Sequence, residues 1–379
     1  MDKKVGILGG GQLGKMLCQE ASKIGIRLNI LEKDDTFPAY GICQDYHYGN
    51  FKDYDDVYKF GQQMDIITVE IEAVNTEALH QLQKEGKKVF PQPELLDLIK
   101  DKGTQKTFYE DYNLPTSRFE LFDTKEEIIN AVNEGKWTIP FVQKARKDGY
   151  DGQGVQIIRS EADLENLFEV PSLLEDLVDI DKEISVIVAR SESGEINSFP
   201  VVEMEFHPTA NLVEFLFSPS SVTTDQQSEA TSIAESIVKE MEIVGLLAVE
   251  LFLTKSGEIL INEVAPRPHN SGHQTIEGNV TSQYGQHLRA ILDWPLGSTE
   301  ARCPSVMVNV LGAEGYKGLA YYDGLEECLK IDGAYMHLYG KKDTKPFRKM
   351  GHATIIDNDL ETAKEKARKV KSTLKVISK

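Results

Sequence analysis

Positive charge is what this sequence is short of. Against 61 aspartates and glutamates stand 42 lysines and arginines in 379 residues, a formal charge of −19 with a pI near 4.9. A protein that grips a phosphate backbone or an anionic membrane needs the opposite balance, so neither nucleic acid nor a membrane is expected as a partner. Long apolar runs are missing as well. The strongest, Ile243 to Leu253, falls far short of a bilayer span and contains Glu250, and MDKKVGILGG has neither the apolar region nor the cleavage site of a secretory signal. A soluble, cytoplasmic protein is expected. Cysteine is scarce: Cys18, Cys43, Cys303 and Cys328 fit no CxxC or finger spacing, which argues against a disulfide framework and structural zinc and for reduced, mostly buried thiols. Repeats and low-complexity tracts are absent too. What remains is a globular composition, 40% apolar and 27% charged, long enough for two or three domains.

The first hundred residues alternate apolar runs with helical patterns: VGILG, LGKMLCQEASKIG, LNILE, IITVE, TEALHQLQKEG, then a short strand and a helix starting at Pro93. Such alternation predicts a parallel sheet. Next come a helix at 125–134, a strand IPFVQKA, a glycine-rich turn, a strand VQIIR, a helix at 161–168 and a strand SLLEDLV. From Lys182 strands dominate (EISVIVAR, EINSFPVVEMEF, NLVEFLF), followed by a helix at 225–242, a hairpin at 246–263 and a mixed tail. The predicted domains are 1–115, a Rossmann-like α/β unit; 116–181, a small α+β lobe; and 182–379, an antiparallel-sheet lobe.

Gly9, Gly11 and Gly14 satisfy GxGxxG between a strand and a helix, and Glu32 ends the second strand, which together form a dinucleotide fingerprint. The same loop nearly spells a P-loop, but Met16 stands where a hydroxyl should hold magnesium. A tight turn with no ligand is the simpler alternative, and the motif by itself does not choose between NAD and another ligand.

The segment LLAVELFLTKSGEILINEVAPRPHNSGH carries the most chemistry. With Ser256-Gly257 as a two-residue hairpin loop, counting outward sets Glu250 opposite Glu263, with Phe252 and Ile261 flanking them on the same face. Facing carboxylates repel unless a cation or a shared proton lies between them, and hard oxygens suit magnesium. A one-residue slip would face Glu250 with Asn262 instead, and a solvated outer face is the bland reading. Arg267, stiffened between Pro266 and Pro268, is suited to clamping a phosphate or carboxylate. His269 and His273 have HxxxH spacing, but Asn270 to Gly272 breaks a helix, so contact with a small polar substrate is favoured over zinc. In KARKDGYDGQG, Lys144 precedes Gly149, Gly152 and Gly154, a loop able to fold over phosphates or simply a long hairpin. KKDTKPFRK concentrates Lys341, Lys342, Lys345, Arg348 and Lys349, which suits either a ligand phosphate or a solvated loop.

Together these motifs resemble the ATP-grasp ligases. GGGQLGKM, TVEIEAVN, GYDGQG, INEVAPRPHNSGH, TSQYGQHLRAI, PSVMVN and RKMGH are similar to the 5-(carboxyamino)imidazole ribonucleotide synthase family, with matches from residue 6 to about 352. The resemblance implies a three-lobed fold and an ATP-dependent carboxylation of 5-aminoimidazole ribonucleotide by bicarbonate in purine biosynthesis. Glu250 and Glu263 would hold magnesium, two ions in all, on ATP. Lys102, Lys144 and the lid Gly149, Tyr150, Asp151, Gly152, Gln153 and Gly154 would grip its phosphates. Glu175, Asp176, Leu177, Val178 and Glu183 would line adenine and ribose, with Glu203 and Asn262 at the edge. Arg267 would steady carboxyphosphate. Tyr150, Asp151, His269 and Lys349 would join it in catalysis, and Gln12, Glu70, Glu72, Arg267, His269, Asn270, Lys345, Arg348 and Lys349 would contact the aminoimidazole nucleotide. A homodimer is implied too. Departures from the family pattern are Asp148 before GYDG, Val155 after the loop, Gln274 after HNSGH, and Ala265 where many ATP-grasp enzymes place a metal-binding asparagine. Competing readings are another ligase of the same fold, such as a formate-using ribonucleotide transformylase or a biotin carboxylase; an NAD-dependent dehydrogenase; and a non-catalytic nucleotide sensor.

Overall fold

The computed structural model describes residues 3–147, 154–208 and 212–379. The predicted alternation builds a parallel sheet of order β3-β2-β1-β4-β5, from β1 (Val5–Leu8), β2 (Leu28–Glu32), β3 (Asp45–Tyr48), β4 (Ile66–Val69) and β5 (Lys88–Val89). Every residue of β1 and β4 is buried, as in strands covered on both faces. The helix Pro93–Lys100 starts on its proline, whose missing N–H costs nothing in a first turn.

An antiparallel sheet follows, in order β6-β9-β7-β8, of β6 (Phe119–Phe122), β7 (Phe141–Ala145), β8 (Val155–Ile158) and β9 (Ser172–Asp176). The helix expected at 161–168 is a 3₁₀ segment, Glu161–Asn166, with no buried residue. Of these residues only Leu164 packs against the lobe's core, too little apolar contact to favour a longer α-helix.

The third sheet has nine strands: β10 (Ile180–Arg190), β11 (Ile196–Ser198), β12 (Val202–Phe206), β13 (Val213–Ser218), β14 (Gly245–Thr254), β15 (Ile259–Ala265), β16 (Ser305–Leu311), β18 (Ala334–Leu338) and β20 (Lys349–Ile356). Its order is β15-β14-β10-β12-β13-β16-β20-β18, with β11 paired to β10. The stretch EINSFPVVEMEF, expected as one strand, is split at Pro200, which has no N–H for a ladder. The tail continues the same sheet, and β17 (Gly318–Asp323), β19 (Asp343–Thr344) and β21 (Lys375–Ser378) form a small separate sheet of order β19-β17-β21. Cys18 and Cys328 are buried and Cys43 and Cys303 half-buried, all as free thiols. No helix among the described residues is long and apolar enough to cross a membrane.

Three imidazoles tie the tail to the segment after β15. His352 of β20 stacks on His273 and on His337 of β18, with ring centroids 4.4 Å apart in both pairs. Tyr284 Oη meets His273 Nδ1 at 2.9 Å, Tyr339 Oη meets His352 Nδ1 at 3.0 Å, and His337 Nε2 lies 2.9 Å from Glu277. Burial holds His273 and His352 well below the ordinary histidine range. His287, packed against Gly245 and bonded to Thr68 Oγ1 at 2.9 Å, is pushed down by burial to about 4 from an ordinary 6.5. The unfolded chain therefore takes up protons that the folded chain refuses, so the share of stability tied to His287 is present above pH 6.5 and is lost as pH falls through about 4, and His273 and His352 act in the same direction. Urea midpoints measured across that window should drop with acidification, and His287→Gln should flatten the slope; an unchanged slope in the variant contradicts the assignment.

Candidate active site

Glu250 on β14 lies directly opposite Glu263 on β15, as predicted, but by a different route. The hairpin loop has three residues, Lys255 to Gly257: Thr254 N donates to Glu258 O at 2.9 Å, and Gly257 takes φ +93°. That shifts the register by one, so Leu251 faces Ile261. A bulge at Asn262 then adds a residue on β15 and restores the pairing at the carboxylates. The bulge also corrects the expected face, because Ile261 packs in the core with Val249, Leu251 and Leu253 rather than beside the glutamates.

Cations converge on this pair. Lys102, in the first turn of the helix Lys102–Asp111, places Nζ 2.5 Å from Glu263. Its helix is capped by Asp101, whose carboxylate also takes Arg146 through two 2.9 Å bonds and so anchors the helix to the end of β7. Lys144 of β7 donates to the bulged Asn262 Oδ1 at 3.0 Å and pairs with Glu175 at 2.7 Å. The other oxygen of Glu175 takes Lys106 at 2.7 Å, and this buried triad includes a lysine that no motif indicated. Periodicity places Lys106 on a helix but does not show that its neighbour is a carboxylate 69 positions later.

The titration of the two hairpin carboxylates diverges. Burial, with Glu263 and Glu183 nearby, pushes Glu250 up to about 8. Burial also works against ionised Glu263, but Lys102, Lys144 and Arg267 outweigh it and hold this carboxyl below its usual range. Glu183 is pushed up to about 7 by burial and by Glu263. The cluster thus retains protons that a cation would displace.

Beyond β15, Arg267 Nε reaches Glu72 at 2.8 Å and its Nη1 donates to Pro268 O at 3.1 Å, joining the hairpin to the first sheet's loops. His269 Nε2 lies 3.3 Å from Glu250. Lys349, at the start of β20, acts electrostatically on both Glu250 and His269. Asn270 is half-buried, and neither its Nδ2 nor its Oδ1 has a hydrogen-bond partner among the described residues. Its donor and acceptor are therefore open to a ligand.

The glycine loop departs from the dinucleotide reading. Glu70 accepts from the N–H of Gly11 and from that of Gly14 at 2.6 Å, and Glu32 accepts from Gly10 N at 3.1 Å. The amides that would hold a pyrophosphate are already bonded to the protein's own carboxylates. A Cβ on Gly9 would sit 2.5 Å from Glu70 Cγ, which is the steric reason for glycine there. Lys15, the would-be P-loop lysine, donates instead to Leu338 O at 2.8 Å. Gln12 opens the helix Gln12–Lys23 beside this loop.

Other expected residues are more dispersed. Glu203 is bonded by Lys182 at 3.0 Å and by Ser221 Oγ at 2.6 Å. The Asp176 side chain points outward, 3.8 Å from Arg118, so only its backbone can line the cleft. Leu177 and Val178 are half-buried and make no backbone hydrogen bond among the described residues, which leaves an edge of free donors and acceptors between β9 and β10. Arg348 donates to Asp343 O at 2.7 Å and Lys345 is exposed, in a loop packed on Gly312. Gly149, Tyr150, Asp151, Gly152 and Gln153 lie outside the described residues, as does Asp148. Gly154 is described: it has φ +78° and its carbonyl accepts from Ala145 N at 2.8 Å.

The donor set can be tested against magnesium. Among the described residues no group of three or more His, Cys, Asp or Glu is placed to hold a metal. Two facing carboxylates beside an amide oxygen, with lysines close by, fit an ion that takes few protein oxygens and completes its shell with water and phosphate.

Comparison with known proteins agrees. Residues 1–100 match a ribonucleotide synthetase preATP-grasp domain, 107–284 an ATP-grasp domain, and 305–366 a phosphoribosylaminoimidazole carboxylase C-terminal domain. The N5-carboxyaminoimidazole ribonucleotide synthase of Bacillus subtilis is 37% identical, over 93% of this chain and 91% of that protein. The chloroplastic phosphoribosylaminoimidazole carboxylase of Vigna aconitifolia is 37% identical, but the chain spans 64% of its length. The crystal structure of N5-carboxyaminoimidazole ribonucleotide synthetase from Thermotoga maritima superposes with a TM-score of 0.91 at 44% identity, covering 100% of both chains. That of the Aspergillus clavatus synthase, in complex with ADP and 5-aminoimidazole ribonucleotide, gives 0.89 at 32% identity, over 98% of each. With these matches and this site, the chain belongs to the N5-carboxyaminoimidazole ribonucleotide synthase family of ATP-grasp ligases.

Proposed function

We propose that the protein carboxylates the amino group of 5-aminoimidazole ribonucleotide, using ATP and bicarbonate and releasing ADP and phosphate. The observation that carries this reading is the facing pair Glu250 and Glu263, set among Lys102, Lys144, Arg267 and Lys349. Phosphoryl transfer needs charge neutralisation and alignment more than a covalent nucleophile, and this cluster supplies both.

In this reading Lys102 and Lys144 exchange Glu263 and Glu175 for phosphate oxygens, and the lid 149–154 covers them. The unpaired backbone at 177–178 takes the adenine edge, with Glu175, Asp176, Glu183, Glu203 and Asn262 around the nucleoside. Glu250 and Glu263 would hold magnesium, which would supply positive charge against the triphosphate. A bicarbonate oxygen attacks the γ-phosphorus, ADP leaves, and Arg267 steadies the carboxyphosphate. Its carboxyl group then passes to the amine, with loss of phosphate, under a closed lid that excludes water. Gln12, Glu72, His269, Asn270, Lys345, Arg348 and Lys349 contact the aminoimidazole nucleotide, the cations at its 5′-phosphate, with Tyr150 and Asp151 at the reacting amine. Glu70, whose oxygens are taken by loop amides, supports the substrate side from beneath. Divisions at 115 and 181, a homodimer and a cytoplasmic location belong to the same proposal.

The test is magnesium-dependent ADP release by the purified protein, with the aminoimidazole nucleotide and bicarbonate each supplied and then omitted. Turnover that needs both supports the reading. ATP-stabilised protein that shows no turnover with the full set overturns the substrate assignment.

A further inference from the structure

His269 is held more tightly than a substrate contact on a loop requires. Gln283, fully buried, accepts from His269 N at 2.8 Å and donates from Nε2 to His269 O at 2.7 Å, so the backbone is clamped from both sides. Pro268 restricts the chain just before it. The freedom left is the orientation of the ring and the placement of its proton.

A chain of hydroxyls removes both. The backbone N–H of Ser271 points at His269 Nδ1, at 3.3 Å. An N–H can only donate, so this contact favours a lone pair on Nδ1 with the ring proton on Nε2, but at 3.3 Å it is too long to fix that tautomer by itself. In that tautomer Ser271 Oγ, 2.9 Å from the same nitrogen, donates to it along the shorter of the two contacts. Ser185 Oγ, 2.8 Å from Ser271 Oγ, supplies the next bond. Ser185 is fully buried on β10 and stands opposite Glu250 in the β10–β14 register, while Ser271 is 1% exposed. The chain therefore starts beside Glu250, passes through two hydroxyls and the imidazole, and returns to Glu250 Oε1, 3.3 Å from Nε2.

We propose that Ser185 and Ser271 are positioning residues: they lock His269 in the Nε2–H tautomer with its ring aimed at Glu250, and so orient the carboxylate on which the site depends. Once Glu250 is ionised, as cation binding requires, a proton on Nδ1 would leave the Nε2 lone pair facing a carboxylate oxygen, a repulsive contact in a buried setting. Outer-shell bonds of this kind set ligand orientation in metal and phosphate sites generally. The inference rests on the reading of this site as the ligase active site, but the tautomer can be measured without turnover.

Nitrogen-15 spectra of the histidine-labelled full chain, with His269 assigned by its absence in His269→Gln, should show the Nε2–H form in the wild type. Ser271→Ala keeps the backbone N–H and deletes the hydroxyl, so it should give a mixture of tautomers and a kcat lower by about tenfold or more, with the KM for ATP unchanged. Ser185→Ala should act in the same direction and more weakly. An Nδ1–H wild type overturns the proposal, as does a Ser271→Ala protein with wild-type kcat. A fall in kcat with the tautomer unchanged overturns it too, because Ser271 would then act by packing alone. A wild type without turnover sinks the functional reading, and the spectra still decide the hydroxyl chain.

Discussion

Glu263→Gln abolishes ADP release, by about a thousandfold or more at saturating magnesium, and leaves the fold intact. The side chain keeps its shape, and the hairpin loses a like-charge confrontation across β14 and β15. Glu250, raised to about 8 by burial and by this neighbour, then titrates lower. Lys102 loses the partner at 2.5 Å that holds its ammonium, but it sits in a cleft built to exchange that partner for phosphate. The fold is therefore spared and the charge that anchors the triphosphate is not. Circular dichroism and a urea titration establish the fold, and coupled-assay turnover measures the loss. Near-wild-type turnover in a folded variant removes Glu263 from the metal assignment.

Glu175→Ala destabilises the chain by about 3–5 kcal/mol, the largest stability effect expected here. Glu175 is 3% exposed and pairs with Lys106 and Lys144, each at 2.7 Å. Removing the carboxylate leaves two buried lysines facing each other. Burial already lowers the Lys106 pKa, so part of the cost is met by its deprotonation. Lys106→Met in the same background removes one orphaned charge and should recover part of the loss, which makes the pair non-additive. Urea midpoints of the two single variants and the double variant measure this. A Glu175→Ala midpoint equal to wild type would mean that the triad is solvated and contributes nothing.

The parts of the site that could be read along the chain are those whose signal is local. The strand-glycine-helix pattern at Gly9 to Gly14, the helix starting at Pro93 and the hairpin carrying Glu250 and Glu263 each depend on neighbours within a few residues. Even there, the facing carboxylates emerged from two compensating offsets, a three-residue loop and the bulge at Asn262, neither visible in alternation alone. The expected helix at 161–168 is cut short to a segment, Glu161–Asn166, of which Leu164 alone packs on the core, and the expected strand at 195–206 is broken where Pro200 has no backbone N–H.

By itself the sequence determined the strand-helix alternation of the first hundred residues, the hairpin that carries Glu250 and Glu263, and the motif that marks the ligase family. Tertiary structure alone decided which groups meet. Glu70 fills the amides of a glycine loop 56 and 59 residues before it, Lys144 finds Asn262 118 residues away, and Lys102 finds Glu263 at a separation of 161. Helical and strand periodicity is set by backbone geometry and can be read in any window of a dozen residues. The partner of a buried charge is set by which distant surfaces pack together, because a charge removed from water must find its counter-charge wherever the fold brings one.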